Sequence, residues 1–251
     1  MIQKKELFSG KSDQYTASRP SYAEAALDAL FSGLALPKHP AAADIGSGTG
    51  IFTAQLLSRG CTVYAVEPDP GMRGQAERLL KDDVCFHSVA ADASHTTLPD
   101  ASMDLVTAAQ AFHWFDPDAF RAECRRILKP GAPVALLWNF TDGSCPVNAG
   151  WREVSRRFCP LFTKLGKTIS SDEERNARFF GGRCTFLTFD HPIFYDRESY
   201  VRRALSSSYA LKPGDPDYEA YVDALNELYS KYEENGRVRV ENATHLYFGT
   251  V

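Results

Sequence analysis

The distribution of apolar positions predicts a regular alternation of elements over the first 140 residues. Ala26, Leu27, Leu30, Phe31 and Leu34 share one helical face, so Tyr22 to Leu34 reads as a helix, and Pro37-Lys38-His39-Pro40 ends it. Ala41 to Ile45 then reads as a short strand, Gly50 to Arg59 as a helix, and β-branched Thr62 to Val66 as a strand. Pro70 to Leu80 predicts a helix, with Asp69 as its N-cap and Pro70 at its first position. Val84 to Ala90 and Asp104 to Ala108 are strand-like. Phe120, Cys124, Ile127 and Leu128 form a helical stripe opened by Asp116-Pro117 and closed by Pro130-Gly131, and Pro133 to Trp138 is the next strand.

Strands alternating with helices, with short connections, imply parallel strands joined by right-handed crossovers. The expected fold is therefore α/β, a Rossmann-like doubly wound sheet. Ligands of such sheets bind beyond the carboxyl ends of the strands, so the residues that follow each strand are the candidates for chemistry. After Asn139 the rhythm changes. Val147 to Leu165 reads as a helix, Asp172 to Phe179 as a shorter one, and Thr185 to Phe194 as a strand. Helices near Glu198 to Leu205 and Asp217 to Glu234 follow, with Gly236 as a stop and Leu246 to Val251 as a closing strand. No flexible linker sets this half apart, so it reads as a lid-like helical insertion followed by the last elements of the same sheet.

Composition narrows the class. The chain has 251 residues, 44% of them hydrophobic, with 28 Lys and Arg against 32 Asp and Glu, a net charge of −4. It is too apolar to be disordered. Its slight acidity gives no general attraction to nucleic acid or anionic lipid. The longest apolar runs fall short of the roughly 18 residues that span a bilayer. The first residues, Met1 to Glu6, meet charge at once, with no apolar segment of the kind that opens a secretory signal. Six cysteines stand singly with no C-x-x-C pair, which disfavours a metal module and suits a reducing, cytoplasmic setting.

The chemistry concentrates in Asp44-Ile45-Gly46-Ser47-Gly48-Thr49-Gly50, between a strand and a helix. Alternating glycines let the backbone turn sharply and approach a ligand closely, and the following helix offers free N–H groups. Glu67 follows the next strand, where a carboxylate can accept hydrogen bonds from both hydroxyls of a ribose. Asp44, two residues before the first glycine, would repel a pyrophosphate but suit a ligand with a cationic centre and an amino group, as S-adenosylmethionine has. Asp92, after the third strand, is placed to accept from an adenine amino group, with the Ala93 N–H beside it for a ring nitrogen; a loop or cap carboxylate is the alternative. After the fourth strand, Phe112-His113-Trp114-Phe115 sets aromatic faces where a sulfonium would lie. Phe112, His113 and Trp114 are thus candidates for substrate contact, with core packing as the alternative for Phe112 and Phe115. His113 is also a candidate general base, or else a wall of the pocket.

These residues carry a resemblance. Asp44 to Gly50, Val66 to Met72, Ala91-Asp92-Ala93 with Leu98-Pro99, Ala109 to Asp116 and Ile127 to Gly131 resemble class I S-adenosylmethionine-dependent methyltransferases, more narrowly the type 11, trans-aconitate-methyltransferase-like group. Tyr15 to Tyr22 is similar to that group's N-terminal cap, and Ser206 to Tyr209 to a late segment; Ala23 stands where the group often has proline. The resemblance implies a seven-stranded sheet with the last strand antiparallel. It implies Asp44, Gly46 and Gly48 around the methionine part of the cofactor, Glu67 on the ribose, Met72 near the adenine, and Asp92 with Ala93 on its edge. Ala109 and Gln110 would lie along the methionyl moiety, and Ser47 and Pro68 would also contact the cofactor. Tyr15 and Arg19 would close over the cofactor, unless Arg19-Pro20 is only an elbow.

On this reading residues 1–251 form a single methyltransferase domain: a cap over 1–40, a cofactor-binding core over 41–139, an acceptor-side insertion over 140–210, and a C-terminal helix and strand over 211–251. The cofactor is S-adenosylmethionine, leaving S-adenosylhomocysteine, and the acceptor is a small molecule, methylated on a carboxylate or hydroxyl oxygen. Tyr209, Arg202 and Arg203 are candidates for acceptor contact, with a solvated helix face as the alternative for the arginines. Three other readings remain open: a non-catalytic S-adenosylmethionine-binding protein, a protein or RNA methyltransferase, and a nicotinamide oxidoreductase. No nucleic acid, membrane or metal partner is expected, and the sequence leaves the oligomeric state undetermined.

Overall fold

A computed structural model describes residues 20–162, 173–207 and 209–251. Tyr15 and Arg19 therefore lie outside the described residues. In chain order the first half contains α1 (Glu24–Gly33), β1 (Ala41–Ile45), α2 (Ile51–Ser58), β2 (Thr62–Val66), α3 (Pro70–Leu80), β3 (Phe86–Val89), β4 (Leu105–Ala109), α4 (Pro117–Ile127) and β5 (Val134–Thr141). The second contains α5 (Pro146–Phe158), α6 (Glu173–Phe179), β6 (Thr185–Asp190), β7 (Ile193–Tyr195), α7 (Arg197–Leu205), α8 (Tyr218–Tyr232), β8 (Val238–Val240) and β9 (Asn242–Gly249).

Seven strands form one sheet in the order β3-β2-β1-β4-β5-β9-β6. Parallel pairing runs from β3 through β5. The last strand, β9, is antiparallel. Thr244, near its start, bonds Asn139 near the end of β5, and Gly249, at its end, abuts the Arg183 carbonyl just before β6. The expected doubly wound sheet is thus the one observed. β1, β4 and β5 are buried on both faces, which is why they read as apolar runs without alternation. Leu27 and Leu30 of α1 and Phe52 and Leu56 of α2 pack with Val63, Leu105, Leu137 and Leu246 in one core. Each such side chain contributes about 1.5–3 kcal/mol on burial. The carboxylates of Asp69 and Asp116 cap α3 and α4, accepting from the Met72 N–H at 2.9 Å and the Ala119 N–H at 2.9 Å.

Contacts divide the described chain into two compact units. One comprises residues 21–139, 173–189 and 244–251 and holds the large sheet. The other comprises 140–162 and 190–243. Its α5, α7 and α8 and the antiparallel β7–β8 pair enclose Val147, Tyr195, Tyr200, Leu228 and Val238, and a second cluster gathers around Cys159, Tyr221 and Leu225. The half expected to be an insertion accordingly carries hydrophobic cores of its own.

Several boundaries differ from the sequence expectation. The run 185–194 splits at His191-Pro192 into β6 and β7, which join different sheets. Val84 is 90% exposed, because Asp83 closes a turn on the Cys85 and Phe86 N–H groups and delays β3 to Phe86. α5 stops at Phe158, ahead of Pro160.

Candidate active site

The glycine loop leaves β1 at Ile45 and enters α2 at Ile51. Gly46, Gly48 and Gly50 all have positive φ, at +69°, +58° and +85°, the left-handed region that glycine enters freely. Their surroundings differ. A methyl group at Gly46 would stand 2.7 Å from Ala111 Cβ, and one at Gly50 3.0 Å from Ala76 Cβ. At Gly48 the nearest atom is Met72 Sδ at 3.9 Å. Gly46 and Gly50 are thus close-packing glycines, and Gly48 is the one that leaves its backbone open.

Glu67, at the end of β2, ties the loop to the next one. Its Oε2 accepts from the Gly48 N–H at 2.9 Å and its Oε1 from the Asp69 N–H at 2.8 Å. The side chain is 7% exposed, and burial raises its pKa against the lowering effect of those two N–H bonds. Each carboxylate oxygen has two lone-pair directions, so both retain acceptor capacity. Arg73, on α3, bonds the Glu67 carbonyl at 2.9 Å and steadies the same corner. Pro68 continues the turn, and Met72 is buried on the first turn of α3.

Asp44 is 1% exposed. Its Oδ2 accepts from Thr53 Oγ1 at 2.7 Å and its Oδ1 from Thr107 Oγ1 at 2.9 Å. Burial pushes its pKa up to about 6, opposed by the two hydroxyl bonds. Both oxygens are thus engaged inward, bracing β1 to α2 and β4 beneath the loop. Thr53 and Thr107 carry no motif, and the sequence reading did not single them out. Two hydroxyls of the loop itself, Ser47 Oγ and Thr49 Oγ1, are buried with no hydrogen-bond partner among the described residues. Buried hydroxyls without a partner are uncommon and mark a place where a ligand or water completes the set.

Asp92 lies in the exposed loop after β3. Its Oδ1 takes three bonds, from the Ser94 N–H at 2.8 Å, Ser94 Oγ at 2.6 Å and the His95 N–H at 3.1 Å. Those bonds lower its pKa. Oδ2 takes none among the described residues, so the loop-capping role and an outward acceptor coexist on one side chain. Ala93 is half-buried next to it.

β4 ends at Ala109. Gln110 follows with φ +53°, a conformation side chains rarely adopt. Its N–H donates to the Leu137 carbonyl at 2.8 Å and its Nε2 to the Asn139 carbonyl at 3.1 Å. Asn139 also donates to the Ser21 carbonyl at 2.9 Å and accepts from Thr244 Oγ1 at 2.6 Å, so the segment entering α1 is fastened at the carboxyl end of β5. Phe112 to Trp114 form a single 3₁₀ turn. Phe112 is 1% exposed, enclosed by Phe115, Phe120, Trp138 and Phe179, so the structure places this ring in the aromatic core and not on a pocket wall. His113 and Trp114 are half-buried, with ring centroids 4.9 Å apart.

Asp44, Gly46, Ser47, Gly48, Glu67, Pro68, Met72, Asp92, Ala93, Ala109, Gln110, His113 and Trp114 all belong to the unit that holds the large sheet; Met72 is on the first turn of α3 and the others are at the ends of strands or in the segments that follow them. Tyr209 belongs to the other unit, where its ring packs on Phe162 at 4.9 Å and Trp151 at 6.3 Å. There Arg203 lies over Trp151, and Arg202 pairs with Glu198 at 2.9 Å.

Residues 43–136 match the family model of a methyltransferase domain. An uncharacterised methyltransferase of Mycobacterium tuberculosis (strain ATCC 25618 / H37Rv) is 39% identical over 132 residues, 51% of this chain and 50% of the relative. The malonyl-[acyl-carrier protein] O-methyltransferase of Serratia marcescens is 30% identical over 120 residues, 42% of this chain and 46% of the relative. The chain thus spans about half the length of these curated relatives. A solved structure from Anaeromyxobacter dehalogenans, named as a candidate type II methyltransferase, superposes with a TM-score of 0.65 over 92% of this chain and 97% of its own, at 23% identity. That likeness is one of fold. Over residues 43–136 the chain is thus similar to a methyltransferase domain, and its Rossmann-like sheet is similar in fold to that of the solved structure.

Proposed function

We propose that this chain is an S-adenosylmethionine-dependent methyltransferase that acts on a small-molecule acceptor at an oxygen, of a carboxylate or a hydroxyl. The observation that carries the reading is the pairing of Glu67 with Gly48: a buried carboxylate fixed by two N–H groups, with spare acceptor capacity on both oxygens, beside a glycine whose backbone is open. The donor set fits the cofactor. Glu67 would accept from the ribose hydroxyls, and Gly48 would let the ligand approach the loop. Ser47 and Thr49 would find there the partners that they otherwise lack. Asp92 Oδ2 and the Ala93 N–H would read the adenine edge, Met72 and Pro68 would wall it, and Ala109 and Gln110 would line the methionyl part.

When bound, the cofactor supplies a methyl group on a cationic sulfur. The protein's part is alignment and exclusion of water. His113 and Trp114 are the acceptor-side residues of this unit. The His113 imidazole would take a proton from a hydroxyl acceptor, whereas a carboxylate acceptor needs no base. The Serratia relative is named an O-methyltransferase, which supports an oxygen acceptor. The trans-aconitate-methyltransferase-like subgroup, a cytoplasmic setting and an acceptor role for Tyr209 belong to the same proposal.

Calorimetric titration with S-adenosylmethionine, S-adenosylhomocysteine and NAD tests it. Micromolar binding of the first two is expected, weakened about tenfold or more in Glu67→Ala by loss of charge-assisted bonds. Asp92→Ala weakens it less, since one exposed oxygen is at stake. Folded protein that binds neither methionine derivative refutes the proposal. Binding without transfer to any of a panel of carboxylic and phenolic acceptors favours the non-catalytic alternative.

A further inference from the structure

Two arginines link the aromatic turn to a helix some sixty residues further along the chain. Arg121, on α4, donates from Nε to the Phe179 carbonyl at 2.8 Å and from Nη2 to the Arg178 carbonyl, capping the C-terminal end of α6. Arg175, on α6, reaches the other way. Its Nη2 donates to the Phe115 carbonyl at 2.7 Å and lies 3.5 Å from the Phe112 carbonyl, and its guanidinium sits 5.0 Å from the Phe112 ring centroid. Both carbonyls belong to the turn that carries His113 and Trp114. The Phe179 ring, from α6, packs at 4.8 Å on Phe112 and 5.4 Å on Phe120. α4, α6 and the turn thus hold one another in a closed circuit. The turn in turn bears on the glycine loop: Phe115 Cζ would be 3.1 Å from a methyl group at Gly46, and Ala111 Cβ 2.7 Å.

We propose that Arg175 is a positioning residue for the site: by holding the carbonyls of Phe112 and Phe115 it fixes the His113–Trp114 turn and, through Phe115, the wall against which the glycine loop is seated. The proposal rests on the methyltransferase reading for its functional consequence, but its structural half stands apart from it. Lys is a poor substitute, because one ammonium on a flexible stem does not reproduce a planar fork that bonds carbonyl oxygen and covers a ring at once. The Arg178 side chain, on the same short helix, is exposed and pairs among the described residues with exposed Glu174, so Arg178 serves as the control.

The test compares wild type, Arg175→Met, Arg175→Lys and Arg178→Ala without ligand by hydrogen exchange, then with S-adenosylhomocysteine by calorimetry. In the wild type the Trp114 and Phe115 N–H groups bond the Ala111 and Phe112 carbonyls at 2.9 and 3.0 Å. Arg175→Met is expected to speed exchange over 112–116 about tenfold, with the sheet unchanged, and to weaken S-adenosylhomocysteine several-fold. Arg175→Lys should fall between, and Arg178→Ala should match wild type. Wild-type exchange over 112–116 in Arg175→Met overturns the proposal. So does acceleration spread evenly over the chain in both Arg175 variants, which marks plain destabilisation. Should wild type bind no S-adenosylhomocysteine, the methyltransferase reading fails while the exchange comparison still decides the role of Arg175.

Discussion

A methyl group added at Gly46 and one added at Gly48 should have opposite signatures, although both glycines sit in the same loop with nearly the same φ. The left-handed conformation costs alanine about 1 kcal/mol at either place. At Gly48 that is the whole structural cost, since the nearest atom is 3.9 Å away. At Gly46 the new carbon meets Ala111 Cβ at 2.7 Å and Phe115 Cζ at 3.1 Å, and neither can retreat easily. Ala111 opens the 3₁₀ turn, and the Phe115 carbonyl is held by Arg175. Overpacking of this kind adds about 1–3 kcal/mol. Gly46→Ala should therefore lose about 2–4 kcal/mol and Gly48→Ala about 1 kcal/mol, or roughly 4–16 °C against 2–4 °C in Tm for a chain of this size. Binding should reverse the order of interest. Measured where each variant is folded, Gly48→Ala should lose S-adenosylhomocysteine affinity tenfold or more, because its methyl group occupies the open face of the loop. Denaturant unfolding and calorimetric titration of the two variants decide the matter. Equal destabilisation, or a Gly48→Ala protein that binds as wild type does, refutes the division of labour between packing and approach.

Two further expectations concern groups with opposed environments. Asp44, with its pKa raised to about 6, keeps in the folded state a proton that the unfolded chain releases near 3.8, so wild-type stability should fall as pH rises through that window, by about 3 kcal/mol; Asp44→Asn should flatten that slope. Glu123 behaves in the opposite sense: burial raises its pKa, but Arg126 and Thr96 outweigh it and bring the pKa to about 2, so its contribution is present above about 4.5 and is lost as pH falls toward 2, and Glu123→Gln should erase that acid-side loss in urea titrations run from pH 2 to 7. Thr49→Val removes a buried hydroxyl without a partner among the described residues, so stability in denaturant should hold or rise by about 1 kcal/mol while S-adenosylhomocysteine binding weakens; a clear loss of stability would show that the hydroxyl is satisfied within the protein.

The parts of the fold that were legible in the sequence are those set by residues close in the chain. β1 and β2 came out residue for residue, and α3 with its Asp69 cap and Pro70 did too, because a short apolar or β-branched run between breakers, a cap and a fixed φ are written locally in the chain. What depends on distant pairing was hidden. β7 and β8 are three residues each, and each is a strand only because the other is there, some forty residues away. The run from Thr185 has the composition of one continuous strand, and only the two sheets reveal that it is two. The site divides in the same way. The glycines and Glu67 announce themselves by spacing after strands. Thr53, Thr107 and Arg175 have ordinary identities at ordinary positions, and their roles come from what the fold sets beside them. Phe112 shows the limit of reading by residue type, since an aromatic after a strand suits a pocket or a core equally well and its four ring neighbours decide for the core.

Of the three carboxylates that the sequence offers as ligand contacts, Asp44 and Glu67 turn out to be unequal, and the inequality bears on what the loop can bind. Asp44 spends both oxygens on threonine hydroxyls and is sealed off, so its direct contact with a ligand's ammonium is not what the geometry offers. Its charge still counts. No cation is among its hydrogen-bond partners, and burial raises its pKa, as it raises that of Glu67. Without ligand the protein thus holds two carboxylates beneath one loop at an electrostatic cost. A cation brought to the loop offsets that cost, whereas a pyrophosphate adds to it. Selectivity between a sulfonium nucleoside and a dinucleotide then needs no dedicated salt bridge. On the proposed function it would follow from Glu67 accepting from the ribose common to both while the buried charge of Asp44 favours the one that arrives positive.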